Sequence, residues 1–249
     1  MKIAIISDIH GNLFALESTL KALDDLKPDS IICLGDVVGY GAQPNECCEL
    51  IKNNVDETVI GNHDAGCCGI LDFAWFNPVA TQSLEWTARN LSDENMEWLR
   101  NLPYEHKMDK LIFTHAMLYK KEEFYYDDEL IPIYYSFVEM ENDYRISFIG
   151  HSHKYNILKA RSSDNRLENW SNDNNLNIVD DFKYIINVGS VGQPRDKNAD
   201  STVVTCEIEE GSPVSTELHR IKYDIDAAAK SIIDNDLPSI LAERLFLGI

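Results

Sequence analysis

The stretch Lys2-Ile3-Ala4-Ile5-Ile6-Ser7-Asp8-Ile9-His10-Gly11-Asn12 decides how the rest of the chain is read. Its opening run is short and rich in β-branched residues, which is the pattern of a buried strand. In extended backbone, residues two apart project to the same side, about 7 Å from each other. Asp8 and His10 are therefore expected to lean together where the strand runs out. Gly11 permits a sharp turn, and Asn12 can cap a following helix. The pair offers one oxygen and one imidazole donor, but a turn aspartate and a hydrogen-bonded histidine would look the same. The remaining strand ends have to decide.

Working outward, Leu13, Leu16, Leu20 and Leu23 recur at helical spacing, and Pro28 marks the helix end. A second apolar run at 30–34 leads straight into Gly35-Asp36-Val37-Val38-Gly39-Tyr40-Gly41. Pro44 opens a helix to about residue 53, the first-turn position that proline favours. A third strand at 57–60 is followed at once by Gly61-Asn62-His63-Asp64. This β-α-β-α-β order predicts a parallel sheet covered by helices, in which ligands bind beyond the carboxyl ends of the strands. Residues 71–102 read as helical, with a helix start at Ser92. Further strands are expected at 110–114, ending at His115, and at 145–149, ending in Gly150-His151-Ser152-His153. Another at 184–188 enters Gly189-Ser190-Val191-Gly192-Gln193-Pro194-Arg195-Asp196. Residues 119–135 form a lip of aromatic and acidic side chains, and 161–181 a polar excursion or long hairpin turn. A hairpin at 201–207 and 214–221 precedes closing helices at about 224–234 and 238–246. With no internal repeat and no linker, the expectation is one domain spanning 1–249.

The bulk numbers bound the function. A chain of 249 residues with 44% apolar content can build one large core or two small ones. A formal net charge of −20 repels polyphosphate backbones, so no nucleic-acid polymer is expected as partner. An anionic substrate would need a local positive centre, and salt confines the surface repulsion to about 8 Å. No apolar run approaches the roughly 20 residues of a membrane span, so no membrane partner is expected. The first residues also lack the sections of a signal peptide. Cys33, Cys47, Cys48, Cys67, Cys68 and Cys206 contain no CxxC and read as free thiols, which suits a cytoplasmic location.

Five strand ends thus carry Asp-x-His, Gly-Asp, Gly-Asn-His-Asp, Thr-His and Gly-His-x-His, and five of the 7 histidines sit at them. Each has an ordinary structural explanation; their joint occurrence does not. Carboxylate, amide and imidazole donors without thiolate suit a divalent first-row metal. The set is too large for one ion and suits two ions sharing a carboxylate, about 3.5–4 Å apart.

In this order the five motifs closely resemble the calcineurin-like metallophosphoesterase superfamily, over residues 8 to about 195. The loops Gly35–Gly41 and Gly189–Arg195 look more like those of small YfcE-like and diadenosine-tetraphosphatase-related phosphoesterases. The resemblance implies an α/β fold, an αββα sandwich of two mixed β-sheets flanked by helices, with the metal site at the C-terminal ends of the strands. It implies two divalent metal ions, of Mn, Fe, Zn, Ni or Mg. Asp8, His10 and His153 would hold the first ion, Asp36 would bridge both, and Asn62, His115 and His151 would hold the second. His63 would act on the leaving oxygen, oriented by Asp64. The implied reaction is in-line attack of a metal-bridging hydroxide on a small phosphorylated substrate: a phosphodiester, nucleotide or dinucleoside polyphosphate. The alternatives are a phosphoprotein serine/threonine phosphatase, disfavoured by the lack of a long basic groove, and a non-catalytic scaffold, disfavoured because His63 and all seven ligands are present.

Arg195 follows a glycine-rich loop, and a guanidinium grips phosphate bidentately; the resemblance, which places this loop over the site, implies substrate contact there. Pairing with Asp196 or Asp200 is the competing reading. Trp75 and Phe76 are expected in a helix core, and His106 and His219 at the surface. Tyr119, Phe124, Tyr125 and Tyr126 have Lys120 and Lys121 among them, which makes the lip a candidate for substrate contact.

Overall fold

In the computed structural model, Lys2–Ile6 (β1) divides its side chains between two cores. The structure describes every residue except 142, and of residues 169 and 170 the backbone alone. Ile3 and Ile5 pack towards a second sheet, among Phe113, Phe148, Tyr184 and Ile186. Ala4 and Ile6 face the other way, among Leu16, Leu23, Cys47 and Ile51. That alternation buries a strand on both faces, each isoleucine contributing about 1.5–3 kcal/mol.

The chain continues through Leu13–Leu26 (α1), Ser30–Cys33 (β2), Pro44–Asn54 (α2), Glu57–Thr58 (β3) and Asn62–Cys67 (α3). Pro78–Asn90 (α4), Asp93–Arg100 (α5), Glu105–Met108 (β4), Leu111–Thr114 (β5) and Leu130–Glu139 (α6) follow. Ile146–Ile149 (β6), Asn156–Arg161 (β7), Leu167–Ser171 (β8), Asn175–Asn177 (β9) and Phe182–Asn187 (β10) come next. Ser201–Glu209 (β11), Ser212–Ile221 (β12), Ile225–Asp234 (α7) and Ser239–Leu247 (α8) complete the chain. One sheet has the order β3-β2-β1-β11-β12-β9, the other β4-β5-β6-β10-β7-β8. The β1/β2/β3 and β5/β6/β10 pairings are parallel, while β11 joins β1 and β7 joins β10 antiparallel. Helices α1 and α2 cover one outer face, and α6 covers the other with Ile133, Phe137 and Met140. The fold is the expected αββα sandwich of mixed sheets.

Several expectations need correction. The third strand is shorter than 57–60, and Gly61-Asn62-His63-Asp64 leads directly into the short helix α3, which Asn62 begins. The helical stretch 71–102 is a 3-10 turn at Phe73–Trp75 and two helices, divided where the Ser92 side chain accepts from the Asn95 N–H and starts α5. The polar stretch 161–181 is in part a hairpin, β8 pairing with β7 in one sheet, but it also holds β9, which pairs with β12 in the other. Such edge strands need no apolar run, so composition did not reveal them. Trp75 lies outside any helix core and is 71% exposed. His106 and His219 are half-buried in β4 and β12 rather than on the surface.

Candidate metal centre

The donors converge by a different route from the one an extended chain suggests. β1 ends at Ile6, and Asp8 (φ 55), His10 (φ 52), Asp36 (φ 50), His151 (φ 69) and His153 (φ 60) are all left-handed. Each such non-glycine residue costs about 1–3 kcal/mol, and clusters of them mark functional sites. Strand-like alternation therefore does not bring Asp8 and His10 together; successive reversals of the backbone do. The loops are tied to each other as a ladder. The N–H groups of Asp8 and His10 donate to Gly35 O (3.0 Å) and Asp36 O (2.8 Å), and Gly192 N–H donates to Asp8 O (2.9 Å). Side-chain acceptors join in: His63 N–H donates to Asp36 Oδ1 at 2.8 Å, and His151 N–H to Asp8 Oδ2 at 3.0 Å. Two motif glycines follow from this crowding, since a Cβ at Gly150 would strike Ser7 and Asp8, and one at Gly61 would strike Asp36.

Two donor groups form, each with ligand atoms within 4.8 Å of one another: Asp8, His10, Asp36 and His153, and Asp36, His115 and His151. Asp36 belongs to both. Asn62 joins the second group, its Oδ1 lying 3.1 Å from His115 Nε2.

Tautomers test whether this arrangement suits a metal. His10 Nδ1–H donates to Val38 O (3.1 Å), His153 Nδ1–H to Gln193 O (2.7 Å), and His115 Nδ1–H to Leu34 O (2.7 Å). Each ring is thereby left with a lone pair at Nε2. The Nε2 atoms of His10 and His153 nevertheless face each other at 3.0 Å. His115 Nε2 faces two acceptors, Asn62 Oδ1 and, at 3.3 Å, Asp36 Oδ2. Lone pairs aimed at lone pairs in a buried site are repulsive unless a cation sits between them. Asp8 Oδ1 and His151 Nε2 are also buried without hydrogen-bond partners. The donor set fits divalent metal ions.

Electrostatics agree. Burial would raise Asp8, but His153 beside it brings its carboxyl well below the usual range. Burial opposes ionisation of Asp36 too, and His115 and His63 outweigh it. Desolvation lowers His115, yet Asp36 lifts it to about 9, so that without a metal a proton takes the Nε2 lone pair; a cation of one kind or the other is favoured where the second group converges. Burial depresses His10 well below its ordinary value and His151 to about 3, favouring neutral, ligand-competent rings.

His63 lies beside this cluster and in neither group, lining the cavity above it. Burial depresses it to about 4. Its Nδ1 is buried against Gly39 without a partner. The expected contact from Asp64 does not occur. Asp64 instead accepts from Val38 N–H and Gly61 N–H, both at 3.1 Å, and so braces the loop and the start of α3. Burial followed by the nearby Asp36 charge raises Asp64 to about 7.

Arg195 is held over the Tyr40 ring, its guanidinium carbon 5.7 Å from the centroid, and donates to Gln193 Oε1 at 2.7 Å. Its neighbour Asp196 pairs with Arg220 instead. Among the described residues no carboxylate pairs with Arg195, and its Nε is buried without a partner. A ring of aromatic side chains surrounds the centre; Phe124 and Tyr126 belong to the candidate lip, Phe76 is the residue expected in a helix core, and Tyr40 is the one that reading by motif passed over. Tyr40 lies 4.6 Å from His10 and 4.4 Å from His63, Phe76 5.2 Å from His63, Phe124 5.9 Å from His115, and Tyr126 4.2 Å from His151. Buried Asp127 was equally silent in sequence; it accepts from Asn187 and steadies the Gly150–His153 loop.

A two-sheet α/β sandwich with an Asp/His cluster at its strand ends defines the metal-dependent phosphoesterases, and comparison with known proteins agrees. Residues 1–211 match the calcineurin-like phosphoesterase superfamily domain, and the chain belongs to that superfamily. An uncharacterized protein of Methanocaldococcus jannaschii is 39% identical over 250 residues, 99% of this chain and 98% of that one. The crystal structure of a metallophosphoesterase from Sphaerobacter thermophilus superposes with a TM-score of 0.82 at 33% identity, covering 100% of both chains. A hypothetical protein of Pyrococcus horikoshii shares the fold at 0.77 and 18% identity, covering 100% of this chain and 98% of its own. YfcE and a putative diadenosine tetraphosphatase are more distant neighbours, at 0.45 and 0.49. The protein is a metal-dependent phosphoester hydrolase. Among the described residues no helix is long and apolar enough to cross a membrane.

Proposed function

We propose that the protein hydrolyses a small phosphoester at this centre, with residues 1–249 acting as one catalytic unit and two divalent ions as cofactors. The reading is carried by the facing Nε2 lone pairs of His10 and His153, 3.0 Å apart in a buried site. Asp8, His10 and His153 would hold one ion, Asn62, His115 and His151 the other, and Asp36 both. Ions bound there supply Lewis acidity at a phosphoryl oxygen and lower the pKa of a water.

The other roles belong to the chain. Arg195, with no carboxylate to neutralise it, binds phosphate oxygens through its guanidinium. His63 is outside both donor groups and is therefore free to pass a proton to the leaving oxygen. An anionic phosphoryl group beside His63 offsets the burial that depresses it and favours the protonated ring. Asp64 is a positioning residue that braces α3 and the Val38 loop. Tyr40 shields His10 and His63 and is itself packed among Ala228, Leu241 and Leu245, so the two closing helices support the centre. All six cysteines are buried and free, which suits a reducing, cytoplasmic setting.

The test is a substrate panel with the protein loaded in turn with Mn, Zn, Fe, Ni and Mg. It should span bis(p-nitrophenyl) phosphate, nucleotides, dinucleoside polyphosphates and phosphopeptides. Metal-dependent cleavage of a small ester is expected. Cleavage of phosphopeptides alone would move the protein to the phosphoprotein phosphatases, and no cleavage at full metal loading would end the reading.

A further inference from the structure

The cavity lined by His63 has a volume of about 310 Å³, at the small end of ligand pockets. Trp75 and Phe76 line it together with Tyr126 of the lip. Trp75 stands in the short turn Phe73–Trp75, and its 71% exposure leaves the indole face available. The charged side chains lining this cavity are Glu122, Glu123 and Glu129; among the described residues no lysine or arginine does so. The two lysines of the lip are engaged elsewhere. Lys121 pairs with Glu105 at 3.5 Å, and Lys120 lies over the Tyr119 ring, 5.5 Å from its centroid. Arg195 and Lys154 line a separate, open cavity of about 680 Å³, which shares Tyr126 as a wall. The approach to the centre is thus acidic and aromatic on the His63 side and carries its cations on the other.

We propose that Trp75 and the carboxylates of Glu122, Glu123 and Glu129 select the leaving group: a flat ring, uncharged or cationic, and not a polyphosphate or carboxylate. This deepens the hydrolytic reading above and rests on it. In the reaction the water oxygen bonds to phosphorus and the ester P–O bond breaks. One proton of the water ends on the departing oxygen by way of His63. The departing group therefore sits in the His63 cavity, where an aromatic ring stacks on the indole and a cation is stabilised by the three carboxylates. A departing polyphosphate meets the same carboxylates as like charges. Stacking is expected to be worth about three- to tenfold in KM. Three exposed, salt-screened carboxylates are expected to give about a tenfold preference between cationic and anionic rings.

The experiment uses the full metal-loaded chain and three aryl leaving groups on one scaffold, as methyl phosphodiesters and as monoesters: phenol, 4-(trimethylammonio)phenol and 4-carboxyphenol. The quantity compared is the ratio of kcat/KM for the cationic and anionic esters, before and after Glu122→Gln/Glu123→Gln/Glu129→Gln. Differences in intrinsic reactivity cancel in that comparison. The ratio should fall about tenfold in the variant. Trp75→Ala should raise KM for all three, and Trp75→Phe should restore most of the loss. Separately, the free cationic phenol should quench wild-type fluorescence through Trp75 and not that of Trp75→Phe. An unchanged charge ratio with turnover intact, or tighter binding of the anionic phenol than the cationic one, would overturn the proposal and leave the hydrolase standing. No cleavage of these aryl esters by a metal-loaded protein that cleaves another member of the panel above would overturn this proposal alone, and no cleavage of either set would overturn both.

Discussion

Asp8, His10, Asp36, His115, His151 and His153 are at most 7% exposed, whereas Glu122, Glu123, Glu129 and Tyr126, at the cavity above them, are exposed. The buried group gathers its charges within a few ångströms, all but His115 on left-handed backbone, in loops laced together by backbone hydrogen bonds. Charge in such a place cannot be left uncompensated, so each donor depends on the others. The lip keeps its charges in water, where a single carboxylate acts weakly and nearly alone. The lesson is a division of labour. The strand-end cradle holds the chemistry and should respond to change all or none, while the lip adjusts the choice of substrate by degrees.

Substitutions can break that contrast, beginning with the largest effect. Asp36→Ala removes the donor common to both groups. Metal content should collapse and turnover fall at least about a thousandfold. Metal retained at full stoichiometry, measured by plasma mass spectrometry, would show that the two groups are independent. His63→Ala should keep the metals and lose about 10²–10⁴ in turnover, as expected for a lost proton donor. If the metals leave with the ring, His63 belongs to the cradle after all. Chelation tests the cradle through stability. An ion present at a hundred times its Kd contributes about 2.7 kcal/mol, so stripping it should lower Tm by about 5–10 °C. A scan that does not move would contradict the repulsive pairing of His10 and His153 without a cation.

Smaller effects sharpen the boundary between the two regions. Arg195→Ala removes a charged hydrogen-bond donor with no carboxylate partner. It should raise KM for phosphate esters about tenfold or more, with the metals unaffected. Unchanged kinetics would retire its substrate role. Lys121→Gln should change stability by less than about 0.5 kcal/mol, because it removes only a partly exposed pair with Glu105. A larger loss, read by urea denaturation, would mean that the lip is as interdependent as the cradle.

Much of the cradle was legible in advance for one physical reason. Buried strands must be apolar, so runs such as Lys2–Ile6 and Phe182–Asn187 announce themselves, and the polar residues that end them stand out. Short polar edge strands such as Asn175–Asn177 carry no such signal, nor does a six-residue helix whose first turn is a ligand loop. Left-handed backbone at Asp8, His10 and His153 was also hidden, because Asp and His tolerate a positive φ better than most residues yet adopt it at only a small share of positions.

The two-sheet sandwich entered through the family resemblance; by itself the sequence determined a parallel β-α-β-α-β beginning and which polar residues follow each apolar run. These are local properties, set by the apolar period and by which residues follow each run. Tertiary structure alone decided what the charged side chains beside them meet. Asp64 turns to backbone N–H groups rather than to His63, Asp196 to Arg220 rather than to Arg195, and Lys121 to Glu105 rather than to the cavity. Long or polar side chains choose among partners far apart in the chain, and only the packed fold determines which of them lie within reach.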